Sequence, residues 1–232
     1  MYKNMKYTAI VLSAGKGSRM KSDIPKQYLM LQGKPVLYYA LKAFEESAVD
    51  EIILVTGEGD EDYCRREIIE KYGIRKVKAV VSGGKERYHS VYNGLCAAGE
   101  PDYVLIHDGA RPLVTVEIIE RAMESVTHTQ ASVVGMHVKD TIKITDDGDM
   151  VSATPERKNV WMVQTPQAFS FSLVKTAYEQ MLEHEDTSIT DDAMVVEKIA
   201  HHTVQMIEGS YSNIKITTPE DMKIAEILLL EK

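Results

Sequence analysis

The chain has 232 residues, of which 44% are hydrophobic and 27% charged, with a formal net charge of −8 at pH 7. That apolar content can fill a core without disulfides or metals, and the negative charge argues against a nucleic-acid surface, because phosphate backbones are bound by clustered Lys and Arg. No segment resembles a secretory signal or a membrane span, and Cys64 and Cys96 lack metal-ligand or redox spacing. We therefore expect a cytoplasmic protein that binds neither nucleic acid nor membrane.

Short apolar runs rich in β-branched residues alternate with segments of helical periodicity along most of the chain. This order predicts an α/β fold with a Rossmann-like, mostly parallel sheet and helices on both faces. Ligands of such sheets bind beyond the carboxyl ends of the strands. The predicted strands are TAIVL at 8–12, EIILVT at 51–56, KAVV at 78–81, DYVLIH at 102–107 and ASVVGM at 131–136, and the predicted helices span 35–47, 86–98, 115–126 and 171–184.

The last predicted helix has the clearest start signal. Thr218 can cap it, Pro219 suits its first turn, and Asp221 supplies the second side chain of a capping box. No linker, repeat or change in composition divides the sequence before this point. We therefore expect residues 1–232 to form a single domain.

One stretch interrupts the alternation of strands and helices. Residues 138–164 are polar and alternating, and DDGD at 146–149 is typical of a tight turn. This pattern predicts a β-hairpin arm, at 138–162, that projects from the domain. A polar arm that cannot bury a face alone either extends into solvent or packs on a second subunit, and we favour the second interpretation.

A glycine loop follows the first strand. Gly15 and Gly17 allow the backbone to approach a polyanion and direct amide groups at it, and Arg19 and Lys26 add positive charge nearby. A dinucleotide-binding loop would need a third glycine where Met20 stands, and no Walker A sequence occurs. The loop is therefore better suited to a nucleoside triphosphate than to a dinucleotide.

Further motifs carry a resemblance to a known family. The sequence resembles nucleotidyltransferases of the pyrophosphorylase type and, among them, the methylerythritol phosphate cytidylyltransferases of isoprenoid biosynthesis. The resemblance implies a GT-A-like fold, Mg²⁺ as cofactor, and transfer of a cytidylyl group from CTP to 2-C-methyl-D-erythritol 4-phosphate with release of pyrophosphate. The motifs are SAGKGSRM with PKQYL, SGGKERYHSVYNGL at 82–95, IHDGARPLV at 106–114, KDTIK at 139–143, VQTPQAF at 163–169, TDDA at 190–193 and EGSYSNIKITTPEDM at 208–222.

The resemblance also implies residue roles on the nucleotide side. Arg19, Lys26 and Lys215 are implied as the catalytic cations, and Asp108, which follows an apolar strand, as a ligand of the Mg²⁺ that bridges the nucleotide phosphates. No histidine is assigned a role, because the phosphate of the acceptor is already a nucleophile at neutral pH. The implied nucleotide-binding residues are Ser13, Ala14, Gly15, Gly17, Gly83, Gly84, Ser90 and Asp108.

On the acceptor side, the resemblance implies that Arg111, Thr141, Arg157 and Thr165 bind the polyol phosphate. Guanidinium groups suit bidentate phosphate recognition. Because Thr141 and Arg157 belong to the predicted arm, the resemblance further implies a homodimer in which each arm completes the site of its neighbour.

Two alternatives remain open at this point. A ribitol 5-phosphate cytidylyltransferase shares the fold and the CTP loop, and the acceptor-side motifs favour the methylerythritol phosphate enzyme. A non-catalytic nucleotide-binding module on the same scaffold would lack charge-neutralising residues, whereas Arg19, Lys26, Asp108 and Lys215 are all present.

Overall fold

The computed structural model describes residues 2–15, 20, 24–183 and 188–231. Its main element is a seven-stranded sheet with the order β11-β7-β10-β6-β1-β4-β5. All neighbouring strands run parallel except β10, which is antiparallel to both β6 and β7. The mostly parallel α/β fold is therefore confirmed. The seven strands are β1 (Tyr7–Ser13), β4 (Glu51–Thr56), β5 (Val77–Ser82), β6 (Tyr103–Asp108), β7 (Ala131–His137), β10 (Trp161–Ser170) and β11 (Gln205–Glu208), and a separate pair consists of β2 (Met30–Leu31) and β3 (Lys34–Pro35).

Helices cover both faces of this sheet. Ala9 and Val11 of β1 belong to the apolar cluster formed with α1 (Val36–Glu46) and α4 (Val116–Thr129). Ile10 belongs to the cluster formed on the other face with α3 (Arg87–Ala97), α5 (Phe171–Glu183) and α6 (Asp192–Ile199). Successive side chains of a strand point to opposite faces, so a strand covered on both sides needs an unbroken apolar run. The helices are α1 (Val36–Glu46), α2 (Glu61–Tyr63), α3 (Arg87–Ala97), α4 (Val116–Thr129), α5 (Phe171–Glu183), α6 (Asp192–Ile199) and α7 (Pro219–Leu230), with a π-helical segment at Cys64–Glu70.

The C-terminal helix α7 begins as the sequence predicts. The Thr218 side chain caps it, and Asp221 accepts hydrogen bonds from the backbone N–H groups of Thr217 and Thr218, at 2.8 Å each. Buried Ala225 of this helix joins a third apolar cluster. None of the helices in the described ranges is both long enough and apolar enough to cross a membrane.

The predicted arm contains a hairpin but is shorter than its predicted bounds. Strands β8 (Ile144–Thr145) and β9 (Val151–Ala153) pair in antiparallel orientation, and all their residues are exposed. Trp161 and Met162, assigned to the arm from sequence, instead pair with β7 in the main sheet. The polar alternation of this stretch did not indicate that β10 enters the sheet between β6 and β7, because that pairing joins segments far apart in the chain.

Candidate active site

The polar residues of the candidate site lie at the carboxyl ends of the parallel strands. Strand β1 ends at Ser13 and β6 at Asp108, and because the two strands are parallel neighbours, these ends meet at one edge of the sheet. An open cavity of about 400 Å³ lies at this edge. Eight residues predicted for the nucleotide or for catalysis line it, namely Ser13, Ala14, Gly15, Lys26, Gly84, Ser90, Asp108 and Lys215.

A second cavity of about 320 Å³ adjoins the first. Arg111 and Thr165, predicted for the acceptor, line this second cavity. The two cavities share three lining residues, Arg87, Asp108 and Lys215. The structure therefore brings the predicted nucleotide and acceptor residues to two adjoining spaces with charged groups at their junction. Below, these spaces are called the nucleotide cavity and the acceptor cavity.

At the junction, the buried carboxylate of Asp108 is surrounded by cations. Lys215 Nζ lies 2.9 Å from Asp108 Oδ2, Arg111 Nε 3.8 Å from the same oxygen, and Arg87 Nε 3.6 Å from Oδ1. Burial alone would raise the pKa of Asp108, but Arg87, Lys215 and Arg111 together hold it well below its ordinary value. Asp108 is therefore ionised at any physiological pH and keeps the cations in place.

Arg87 is a site residue that the sequence reasoning missed. Its two terminal nitrogens each lie 2.7 Å from an oxygen of Asp192, which is buried at the first turn of α6 and also accepts a hydrogen bond from the Tyr178 hydroxyl. Burial would lower the pKa of Arg87, and Asp192 with Asp108 raises it well above its ordinary value. Arg87 and Asp192 both occur in motifs noted from sequence, but only the fold brings them together.

The predicted glycines differ in the space around them. A Cβ atom on Gly83 would lie 2.4 Å from the Ala14 Cβ, so the two loops touch only because residue 83 lacks a side chain. The Gly84 N–H donates to Ser90 Oγ at 3.0 Å, which ties this loop to α3. At Gly15, a Cβ would meet nothing within 4 Å in the part of the chain that the structure describes, and this exposed residue can offer its backbone to a ligand.

Lys26 and its neighbour Gln27 anchor the segment that follows the glycine loop. Lys26 Nζ donates to the backbone oxygen of Ile216 at 2.9 Å, and Gln27 Nε2 donates to that of Ser13 at 2.6 Å. The Ser13 hydroxyl is buried and has no hydrogen-bond partner in the described part of the chain. Gly17 and Arg19, also predicted for this loop, lie outside the described residues.

Two predicted acceptor residues lie away from both cavities. Thr141 and Arg157 are exposed and belong to the arm, where Arg157 Nη1 donates to the backbone oxygen of Lys139 at 2.8 Å. Neither residue lines the nucleotide cavity or the acceptor cavity. Within one chain, the structure does not bring them to the other site residues.

Asp108 is also the residue predicted to bind a divalent ion. Across residues 2–15, 20, 24–183 and 188–231, no three His, Cys, Asp or Glu side chains form a cluster that could hold a metal. Asp108 is ionised and lines both cavities, so it can provide one ligand. Mg²⁺ commonly takes one or two carboxylates and completes its shell with phosphate oxygens and water. The residues present thus fit Mg²⁺ when a nucleotide supplies the phosphates.

The fold and the site together define a nucleotidyltransferase of the α/β class, with a glycine loop and a cation cluster at the carboxyl edge of its sheet. Residues 7–231 match the family model described as 2-C-methyl-D-erythritol 4-phosphate cytidylyltransferase. The chain belongs to this family.

Curated relatives and solved structures agree with this membership. A 2-C-methyl-D-erythritol 4-phosphate cytidylyltransferase of Lachnoclostridium phytofermentans is 50% identical over 226 residues, 97% of each chain, and that of Alkaliphilus oremlandii is 48% identical over 97% of this chain and 95% of its own. The crystal structure of 4-diphosphocytidyl-2C-methyl-D-erythritol synthase from Anaerococcus prevotii superposes with a TM-score of 0.87 at 35% identity, covering 98% of this chain and 97% of that one.

Proposed function

We propose that the chain transfers the cytidylyl group of CTP to the phosphate of 2-C-methyl-D-erythritol 4-phosphate and releases pyrophosphate. Family membership over residues 7–231 supports the substrates. The single structural observation that carries the proposal is the junction of two cavities, one for a nucleotide and one for an acceptor, at Arg87, Asp108 and Lys215.

The proposed reaction is an in-line substitution at the α-phosphorus of CTP. An oxygen of the acceptor phosphate forms the new bond to the α-phosphorus. The bond from this phosphorus to the oxygen that joins the α- and β-phosphates breaks, and its electron pair leaves with pyrophosphate. The acceptor phosphate is already anionic at neutral pH, so no general base is required. The protein then contributes mainly position and charge neutralisation, for which Arg19, Lys26 and Lys215 are the proposed cations.

On the nucleotide side, we assign the triphosphate to the loop that contains Ala14, Gly15 and Gly17, with Ser13 beneath it. Open backbone at Gly15 and the position of Lys26 on the cavity wall support this assignment. The base and ribose are assigned to the segment with Gly83, Gly84 and Ser90, whose backbone can present hydrogen-bonding groups without a side chain in the way. The assigned residues that the structure describes lie at one edge of the sheet, as one bound nucleotide requires.

The proposed divalent cofactor is Mg²⁺, held by Asp108 together with the phosphates of CTP. When bound, Mg²⁺ neutralises charge on the phosphate oxygens and on the departing pyrophosphate. Lys215 contacts the same carboxylate, so a bound ion would share Asp108 with this cation.

We propose further that the protein works in the cytoplasm as a homodimer in which the arm of one subunit carries Thr141 and Arg157 to the acceptor cavity of the other. The arm supports this in two ways. Its predicted acceptor residues line neither the nucleotide cavity nor the acceptor cavity of their own chain, and its apolar side chains Ile144, Met150 and Val151 are each at least half exposed. Contact with a second copy would cover these side chains and complete the acceptor site.

The function is tested by supplying the purified protein with CTP, Mg²⁺ and each of two acceptors, 2-C-methyl-D-erythritol 4-phosphate and ribitol 5-phosphate, while pyrophosphate release is followed. We expect turnover with the first acceptor at least 100-fold faster than with the second. A preference for ribitol 5-phosphate would change the acceptor assignment. Binding of CTP without turnover on either acceptor would support the non-catalytic module instead.

A further inference from the structure

Tyr211 is an exposed aromatic residue at the base of the arm, and the proposed reaction does not use it. It lies in the turn between β11 and α7 and lines neither the nucleotide cavity nor the acceptor cavity. Its hydroxyl donates to the backbone oxygen of His137 at 2.9 Å. Lys139 Nζ lies over its ring, 3.7 Å from the centroid. A side chain from outside the arm thus makes two contacts with the start of the arm.

The two contacts lie where the arm leaves the sheet. Strand β7 ends at His137 and β10 begins at Trp161, and these two residues pair across the strands with their ring centroids 3.8 Å apart. His137, Lys139 and Trp161 are called the arm base below. The next paired strands, β8 and β9, are only two and three residues long and are exposed. Because so short a hairpin is marginally stable by itself, the direction of the arm depends on contacts at its base.

The loop that carries Tyr211 is fixed to the sheet on both sides of this residue. Before it, the Gly209 N–H donates to the backbone oxygen of Gly135 on β7 at 2.8 Å. After it, buried Asn213 donates through Nδ2 to the backbone oxygen of Thr165 on β10 at 2.9 Å. Tyr211 therefore ties the arm base to a loop whose own position is set by the sheet.

The two contacts of Tyr211 restrain the chain at successive points. A hydroxyl-to-carbonyl hydrogen bond and an ammonium group over an aromatic face are both directional. They act on His137 and Lys139, two residues apart, and Thr141 follows after two more. We infer that Tyr211 is a positioning residue, which sets the direction of the arm and so places Thr141 and Arg157 at the acceptor cavity of the neighbouring subunit.

This inference rests on the proposed function and its homodimer, and it can fail separately from them. The test measures kcat, the KM for CTP and the KM for 2-C-methyl-D-erythritol 4-phosphate in wild type, Tyr211→Ala and Tyr211→Phe. Sedimentation velocity at the assay concentration reports the oligomeric state, and circular dichroism reports folding. Because Tyr211 is exposed, both variants should fold.

We expect Tyr211→Ala to raise the KM for the acceptor by about 10-fold while the KM for CTP and kcat change by less than 2-fold, because both contacts are lost without any change on the nucleotide side. Tyr211→Phe keeps the ring beneath Lys139, so its KM for the acceptor should rise by only about 3-fold. An unchanged KM for the acceptor in Tyr211→Ala, or an equal rise of both KM values, would overturn the inference and leave the function intact.

Two results for the wild-type protein would contradict the proposed function instead. An absence of turnover on 2-C-methyl-D-erythritol 4-phosphate would contradict the reaction, and full activity of a wild-type monomer would contradict the homodimer. Either result would also remove the basis for a positioning role of Tyr211.

Direct contact between Lys139 and the acceptor phosphate is the alternative, and a double-mutant cycle separates the two roles. We expect Lys139→Met to raise the KM for the acceptor by about 3-fold in wild type and to have no further effect in Tyr211→Ala. Lys139→Arg keeps a cation over the ring and should keep the wild-type KM. An equal effect of Lys139→Met in both backgrounds would overturn the role assigned to its contact with Tyr211.

A matched control for Lys139→Met is available outside the arm. Lys34 Nζ lies over the ring of Tyr38, 4.4 Å from its centroid. Lys34→Met removes the same kind of contact from the segment between β2 and α1, and it should keep the wild-type KM for the acceptor. A rise equal to that of Lys139→Met would show that the effect is not specific to the arm base.

The arm base also has its own spectroscopic reporter, because Trp161 is the only tryptophan of the chain. Quenching of its fluorescence by acrylamide is measured without substrates, so the result does not depend on turnover. We expect Tyr211→Ala to raise the quenching constant by about 2-fold, with an unchanged circular dichroism spectrum, because loosened segments admit the quencher more often. An unchanged quenching constant would overturn the inference even if the KM for the acceptor rose.

Discussion

The edge of the sheet and the arm present charged residues in opposite ways. At the edge, Asp108 is buried and contacts Lys215, Arg87 and Arg111, and Asp192 holds Arg87 from the other side. In the arm, Arg157 is exposed, and its side chain donates to the backbone oxygen of Lys139. The described residues predicted for the nucleotide side and the charged junction thus come together within one chain, whereas Thr141 and Arg157 lie outside both cavities.

The largest effect should follow a change at the edge of the sheet. We expect Lys215→Ala to lower kcat by about 10³-fold, since it removes a pre-positioned cation from the junction of the two cavities. The half-exposed position of this side chain should leave folding intact, which circular dichroism can verify. The exposed Lys223→Ala on α7 is the matched control and should keep wild-type kcat. Near-normal kcat in Lys215→Ala would contradict the assignment of the reaction to this edge of the sheet.

A change in the arm should separate binding of the two substrates. The backbone N–H of Val138 donates to the oxygen of Val160 at 3.1 Å, so residues 139–159 can be replaced by a short glycine turn between two adjacent ends. We expect a monomer by light scattering that binds CTP normally and turns over about 10²-fold more slowly, because Thr141 and Arg157 are gone. Full activity in a verified monomer would refute the assignment of the arm to the acceptor site.

His107 is fully buried at the edge of the sheet, so it should make the free energy of unfolding depend on pH. The exposed side chains of the arm should have no comparable effect. Its folded pKa of about 4 lies below its ordinary value of about 6.5, so the unfolded chain binds its proton first as pH falls. Its contribution to stability is complete above pH 6.5, declines as pH falls towards 4 and is constant below. Between pH 6.5 and 5 we expect the free energy of unfolding to fall by about 2 kcal/mol because of His107.

Urea unfolding at several pH values measures that loss. His107→Asn should remove most of this part of the slope, while the charges next to the histidine, Asp108 and Arg111, remain. The exposed His201→Asn serves as control and should keep the wild-type slope. A slope unaffected by either substitution would show that His107 is not held neutral by burial.

The smallest effects should distinguish two glycines within the nucleotide side. We expect Gly83→Ala to lower the free energy of unfolding by about 1.5 kcal/mol, because its Cβ would lie 2.4 Å from that of Ala14. The added Cβ of Gly15→Ala meets nothing within 4 Å among the described residues, so this variant should keep its stability while the KM for CTP rises several-fold. Chemical denaturation and steady-state kinetics on both variants check this. The prediction is wrong if Gly15→Ala is the less stable variant.

Much of the fold was predictable because its signals are local. The unbroken apolar runs of β1, β4 and β6 reveal strands covered on both faces, and the cap at Thr218 marks the start of α7. Asp108 could be placed at the site for the same reason, since it follows such a run directly. Strand β10 was not predicted, because a strand inserted antiparallel between β6 and β7 is defined by partners distant in the chain.

The sequence by itself therefore determined the α/β class and the family, and it predicted several residues that the structure brings to one cavity, through patterns that lie within a few neighbouring residues. Only the tertiary structure decided that Asp192 holds Arg87 at the junction and that Thr141 and Arg157 lie outside both the nucleotide cavity and the acceptor cavity. The physical reason is that burial, charge pairing and hydrogen bonding depend on groups as far apart in the chain as Lys26 and Ile216, and those groups become neighbours only when the sheet forms.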